Sequence, residues 1–129
     1  MRITTILAAL AVTVFVAGCK SAPVLDIAQA PTITASGKAL TRDQVRAAIV
    51  RSGATLGWLM KDEGPNMIVG TFNYGATSAT VEIPYTGNTY SIKYRSSVNL
   101  DKGNGLIHKR YNTWIQDLTR GINTQIAAS

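Results

Sequence analysis

Cys19 is the single cysteine of the chain, and the residues ahead of it decide what its thiol is for. It closes the stretch Val16-Ala17-Gly18-Cys19, at the end of an apolar N-terminal run. That arrangement suits one chemistry: the thiol takes a diacylglyceryl group as a thioether, the chain is cut before the cysteine, and the new amine is acylated. Gly18 lets a peptidase bring the scissile backbone close, while Val16 and Ala17 fill modest apolar pockets. The four residues read as a lipobox, with Cys19 as the lipidation site.

The run upstream fits this reading. Arg2 gives a positive start, and residues 3–15 are apolar apart from Thr4, Thr5 and Thr13. A membrane-spanning helix needs about 20 consecutive apolar residues, and the polar Lys20 and Ser21 follow the cysteine at once. Residues 1–18 are therefore expected to be a lipoprotein signal peptide. Two competing readings are an ordinary secretory signal cut after Ala17 or Gly18, which leaves a free thiol, and a retained single-helix anchor.

Elsewhere the residues that do chemistry are dispersed. His108 is the only histidine, and Asp26, Asp43, Asp62, Glu63, Glu82, Asp101 and Asp117 are scattered along the chain. No metal-ligand set, glycine-flanked nucleophile, phosphate loop or zinc signature is present. The expectation is no enzyme, no metal and no cofactor, with His108 capping or packing at a helix start. A hydrolase-type activity through His108 ranks third among the functional readings.

The basic excess suits attraction to an anionic surface or partner, and equally suits solubility alone. The 129-residue chain carries a formal charge of +6, and loss of residues 1–18 removes only Arg2, which leaves +5. The mature chain is the size of one domain. Once Cys19 is acylated it has no thiol for a disulfide or a metal site. Its basic residues form no block of the kind that binds nucleic acid, and export also argues against that partner. Lys93 with Arg95, and His108 with Lys109 and Arg110, are the candidate contacts for a ligand or partner, and an anionic envelope ligand would bind them in a salt-sensitive way.

Several elements must position these groups. Residues 19–39, rich in Ala, Pro, Ser and Thr, read as a lipidated N-terminus and flexible tether with a reach of roughly 25 Å; an alternative adds Val24 to Ile27 or Thr32 to Thr34 as an edge strand. Thr41 and Gln44 form a capping box, Leu40 and Val45 a hydrophobic staple, and Val45, Ala48, Ile49 and Leu56 one helical stripe ending at Gly53 or Gly57. Strands are expected at Trp58 to Lys61, Met67 to Tyr74 and Ala79 to Ile83. A hairpin connection at Thr86-Gly87-Asn88-Thr89 leads into a further strand at Tyr90 to Arg95. Asp101 to Gly105 reads as a polar loop. A helix from about Ile107 to Ile126 then carries Tyr111, Trp114, Ile115, Leu118, Ile122 and Ile126 inward and Asn112, Gln116, Asp117, Arg120 and Asn123 to water. The predicted fold of residues 40–129 is a two-layer α+β sandwich in the order helix, three or four antiparallel strands, helix, with both helices on one sheet face.

The stretch Tyr94-Arg95-Ser96-Ser97-Val98-Asn99-Leu100, followed by Ile107-His108 and Tyr111-Asn112-x-Trp114-Ile115, resembles small, largely uncharacterised proteobacterial lipoproteins over roughly residues 40–126. That resemblance implies an anchored α+β domain and no particular reaction or cofactor. A looser resemblance is to the small lipoproteins that support outer-membrane β-barrel assembly, whose usual order of two helices and then strands differs from this one. By resemblance to enterobacterial sorting, aspartate after the cysteine retains a lipoprotein at the inner membrane. Lys20 is not that signal, so the expected location is the periplasmic face of the outer membrane. The expected partners are the membrane, through the lipid, and an envelope protein. The leading functional reading is a non-catalytic interaction or structural module.

Overall fold

The computed structural model describes residues 20–129; the expected signal peptide, the lipobox residues Val16, Ala17 and Gly18, and Cys19 lie outside the described residues. In chain order the elements are β1 (Ser21–Pro23), β2 (Ile27–Pro31), α1 (Arg42–Leu56), β3 (Leu59–Asp62), β4 (Met67–Tyr74), β5 (Thr77–Pro84), β6 (Thr89–Val98), β7 (Asp101–Gly103), β8 (Leu106–His108) and α2 (Lys109–Ala127). They form a five-stranded antiparallel sheet ordered β2-β6-β5-β4-β3 and a three-stranded antiparallel sheet ordered β1-β8-β7. This overturns the predicted α+β sandwich. The fold is mostly β, with eight strands where three or four were expected.

The larger sheet follows from alternation. Ala79, Val81 and Ile83 of β5 are buried, and their cross-strand neighbours Ile68 and Gly70 on β4 and Tyr94 on β6 share that face. On α2, Tyr111, Ile115, Leu118, Ile122 and Ile126 form a buried stripe at helical spacing, and α1 adds Val45, Ala48 and Ile49 to the same core cluster. Aromatic contacts join helix to sheet: Tyr111 meets Tyr94 edge-on at 5.5 Å and Trp114 meets Phe72 at 4.8 Å between ring centroids.

Local signals for α1 work as the sequence implies. Thr41 accepts a hydrogen bond from the Gln44 N–H at 3.2 Å, and the Gln44 side chain accepts one from the Thr41 N–H at 2.9 Å. Gly57 ends the helix in the left-handed conformation at φ 88°. Leu56, expected inside, is exposed, and Ser52 and Gly53 are buried in its stead. Gly121 sits at the close approach of the helices, where a Cβ would come within 3.1 Å of Leu56 Cδ1.

The expected tether is part of the fold. Ser21, Ala22 and Pro23 pair with His108, Ile107 and Leu106. The Lys109 N–H donates to the Lys20 carbonyl at 2.7 Å. The Asn112 carboxamide donates to the Pro23 carbonyl at 2.8 Å and accepts from the Leu25 N–H at 3.0 Å, so one side chain clamps this segment to α2. β2 lies at the sheet edge against β6, with a bulge at Gln29 (φ 52°) whose N–H donates to the buried Ser91 hydroxyl at 3.0 Å. Thr32 and Thr34 are buried; Thr32 donates to the Gly87 carbonyl, and Thr34 accepts from the Lys38 N–H at 2.8 Å. The partners of β1 lie more than eighty residues away in sequence, and a linker-like local composition does not reveal such pairings.

The C-terminal third holds three further corrections. Asp101 to Gly105 is not a plain loop but β7 and the turn of the β7–β8 hairpin, with Gly103, Asn104 and Gly105 all at positive φ. The last helix begins at Lys109, because Ile107 belongs to β8. Ile107 and Tyr111 are four apart, so a buried strand residue continues the helical stripe in phase. Asn112 is half-buried and bonded to the N-terminal segment rather than turned wholly to water, and Asn123, exposed as expected, accepts a hydrogen bond from the buried Tyr90 at 2.6 Å.

These contacts make opposite predictions for neighbouring side chains. Asn112→Ala should lower unfolding free energy by about 1–3 kcal/mol in urea titration, since it strips two backbone groups of their partner. Tyr111→Phe should leave stability unchanged or raise it by about 1 kcal/mol, because the buried Tyr111 hydroxyl has no hydrogen-bond partner among the described residues.

Candidate functional site

Among the charged candidates, Lys93 and Arg95 lie on the outer side of the five-stranded sheet. Lys93 is exposed and stands opposite Glu82 in register. Arg95 occupies the bulge where the β5–β6 register shifts between Thr80 and Val81. From there its guanidinium reaches Glu63 at 2.8 and 3.3 Å and Glu82 at 3.5 Å. Charge-assisted hydrogen bonding to Arg95 holds the Glu63 carboxyl below the ordinary value. Arg95 is thus answered from within the chain, while Lys93 makes no ion pair among the described residues.

The other candidates meet at the β8–α2 junction. His108 is the N-cap of α2, and its Nδ1 accepts from the Arg110 N–H at 3.1 Å. That bond requires Nδ1 to be unprotonated. Partial burial lowers the His108 pKa, and the cations Arg110, Lys102, Lys20 and Lys109 lower it further. Both effects favour the neutral ring that the cap needs. The Arg110 guanidinium lies 5.3 Å over the ring of Tyr74, a cation–π contact at the β4–β5 turn.

Sequence reasoning missed two members of this cluster. Lys20 arrives through β1 pairing and Lys102 through the β7–β8 hairpin, and only the glycines of 103–105 gave any hint of the latter. No hydrogen bond or ion pair among the described residues links this group to Lys93 and Arg95.

Several other charged groups pair within the chain. Arg46 makes a two-point contact to Asp62 at 2.9 and 2.6 Å, which lowers the Asp62 pKa, first through the hydrogen bond and then through charge. Arg42 pairs with Asp43, and Arg120 with Asp117. Tyr90 is pushed up to about 12 by burial. Among the described residues no three of His, Cys, Asp or Glu gather as a metal would require. A groove of about 340 Å³ runs between the helices, lined by Ser52, Leu56, Gly121 and their neighbours, with the Asp117–Arg120 ion pair at its wall. No helix among the described residues is long and apolar enough to cross a membrane.

No protein-family model, curated protein or solved structure matches the chain.

The cap gives a pH prediction with a definite sign. His108 should titrate below 6.5 in proton NMR, and Lys102→Glu should move that midpoint upward. Because the folded value is depressed, the stability contributed by the neutral ring is complete above the unfolded value and is lost as pH falls through the folded one. His108→Ala should cost about 1 kcal/mol at neutral pH and flatten that part of the stability profile.

Proposed function

We propose that this chain is a bacterial lipoprotein, acylated at Cys19 after removal of residues 1–18, whose domain serves as a non-catalytic interaction module at the periplasmic face of the outer membrane. The observation that carries the reading is Val16-Ala17-Gly18-Cys19 at the end of a short apolar run with a basic start. Multiple acyl chains give stable anchoring where one alone is marginal. The roles of the polar groups support a non-catalytic module: His108 caps a helix, Arg95 is held by two carboxylates and Arg46 by a third.

An envelope protein partner has an available surface. The outer side of the five-stranded sheet carries the exposed Leu59 and Val98 beside polar residues, and β3 leaves one edge of that sheet open to strand addition. The second reading, binding of an anionic envelope ligand, is favoured by one feature: the cations at the β8–α2 junction take part in no ion pair among the described residues.

Intact mass of protein extracted from separated inner and outer membranes tests the anchor. The expected species begins at residue 19 and carries three acyl chains in the outer-membrane fraction, while Cys19→Ala remains uncleaved and unacylated. A soluble chain with a free thiol would overturn the reading.

A further inference from the structure

We infer that the end of the molecule carrying Lys20, Lys102, Lys109 and Arg110 rests directly on an anionic bilayer surface, which orients the domain with its opposite end pointing away from the membrane. The inference rests on acylation at Cys19 and adds to it the face that meets the lipid.

Chain length is the first argument. One peptide unit separates Cys19 from Lys20, and the Lys20 carbonyl is already bonded to the Lys109 N–H at the start of α2. A residue extends the chain by at most about 3.6 Å. No slack remains for the body to stand off, so whatever surrounds Lys20 lies at headgroup level once the cysteine is in the bilayer. That surrounding is the β7–β8 hairpin, the first turn of α2 and the β4–β5 turn, tied together by Ser21–His108 pairing, by the His108 N–H donating to the Leu100 carbonyl at 2.8 Å and by Asn99 donating to the Ala76 carbonyl at 2.8 Å.

Charge complementarity is the second. Elsewhere Arg42, Arg46, Arg95 and Arg120 each face a carboxylate of the chain. At this end four cations stand with one carboxylate on the same segments, Asp101, which is itself accepting from the Gly103 N–H at 2.8 Å. Four cations without an ion pair among the described residues thus gather beside the anchor, whereas Lys38, Arg51, Lys61 and Lys93, also without one, lie singly on other segments. Exposed Tyr74, under the Arg110 guanidinium, and the exposed Leu106 supply the amphipathic and apolar contacts typical of a membrane interface. α2 then leads away from the surface: its 19 residues span about 28 Å. The turns at 63–66 and 86–88 lie at the far end, beside the start of α1, where Arg42 donates to Asn66.

The test uses full protein extracted from membranes and reconstituted in vesicles of phosphatidylcholine alone or rich in phosphatidylglycerol. Lysines are labelled with a water-soluble amine reagent and read by mass spectrometry, with intact mass recorded on the same sample. Labelling of Lys102 and Lys109 should slow about fivefold or more in the anionic vesicles, recover in high salt, and leave Lys61 unchanged. Lys102→Glu with Lys109→Glu should abolish the slowing at Lys20 without altering the thermal midpoint. Equal labelling of Lys102 and Lys61 in both vesicles on an acylated chain, or slowing that ignores lipid charge, overturns the orientation and leaves the anchor standing. An unacylated chain that still co-sediments with anionic vesicles, and loses this on charge reversal, supports the patch and refutes the anchor.

Discussion

The N-terminal end of the described chain depends on the antiparallel pairing of β1 with β8, locked from the side by the Asn112 carboxamide. That side chain donates to Pro23 and accepts from Leu25, and it thereby completes the backbone bonding of a segment whose strand is only three residues long. Without this clamp a three-residue strand at a sheet edge has little to hold it, since isolated short strands are marginal in water. With it, the chain is committed to structure almost immediately after Cys19. The presence or absence of slack at that point separates a domain that sweeps a volume from one that sits in a fixed pose.

The rest of the architecture protects the same design. Covering one apolar sheet face with two helices leaves the other face to water, and the two outer strands of the five-stranded sheet are treated differently. β2 is short, bulged at Gln29 and ends in Pro31, features that discourage further pairing. β3 has no such break in its register with β4 and carries the exposed Leu59. The charge pattern is equally uneven: Arg42, Arg46, Arg95 and Arg120 are answered by carboxylates, whereas Lys20, Lys102, Lys109 and Arg110 have no ion pair among the described residues.

Much of the central fold was legible because its signals are local. The Thr41–Gln44 box, the β-branched run of residues 67–74 and the alternation through Ala79, Val81 and Ile83 each depend on neighbours a few positions away. The N-terminal strands were not legible, because Ser21 finds His108 and Gln29 finds Ser91 across most of the chain. Ile107 was read as helix because its position keeps phase with Tyr111. The candidate site was half visible. His108, Lys109 and Arg110 stand together in sequence, whereas Lys20 and Lys102 join them only through pairing. Lys93 and Arg95 gave no sequence sign that Glu63 would reach across the sheet.

Amide hydrogen exchange of the protein tests the central claim most directly, through the N–H groups of Val24, Leu25, Gln29 and Thr32. Each donates to a named partner in the fold: the carbonyl of Gly105, the Asn112 side chain, the Ser91 hydroxyl and the carbonyl of Asn88. The account predicts that these four exchange as slowly as amides in the interior of β5. Exchange at the rate of the exposed Gly75 and Ala76 turn would contradict it, and would return residues 20–39 to the role of a free tether.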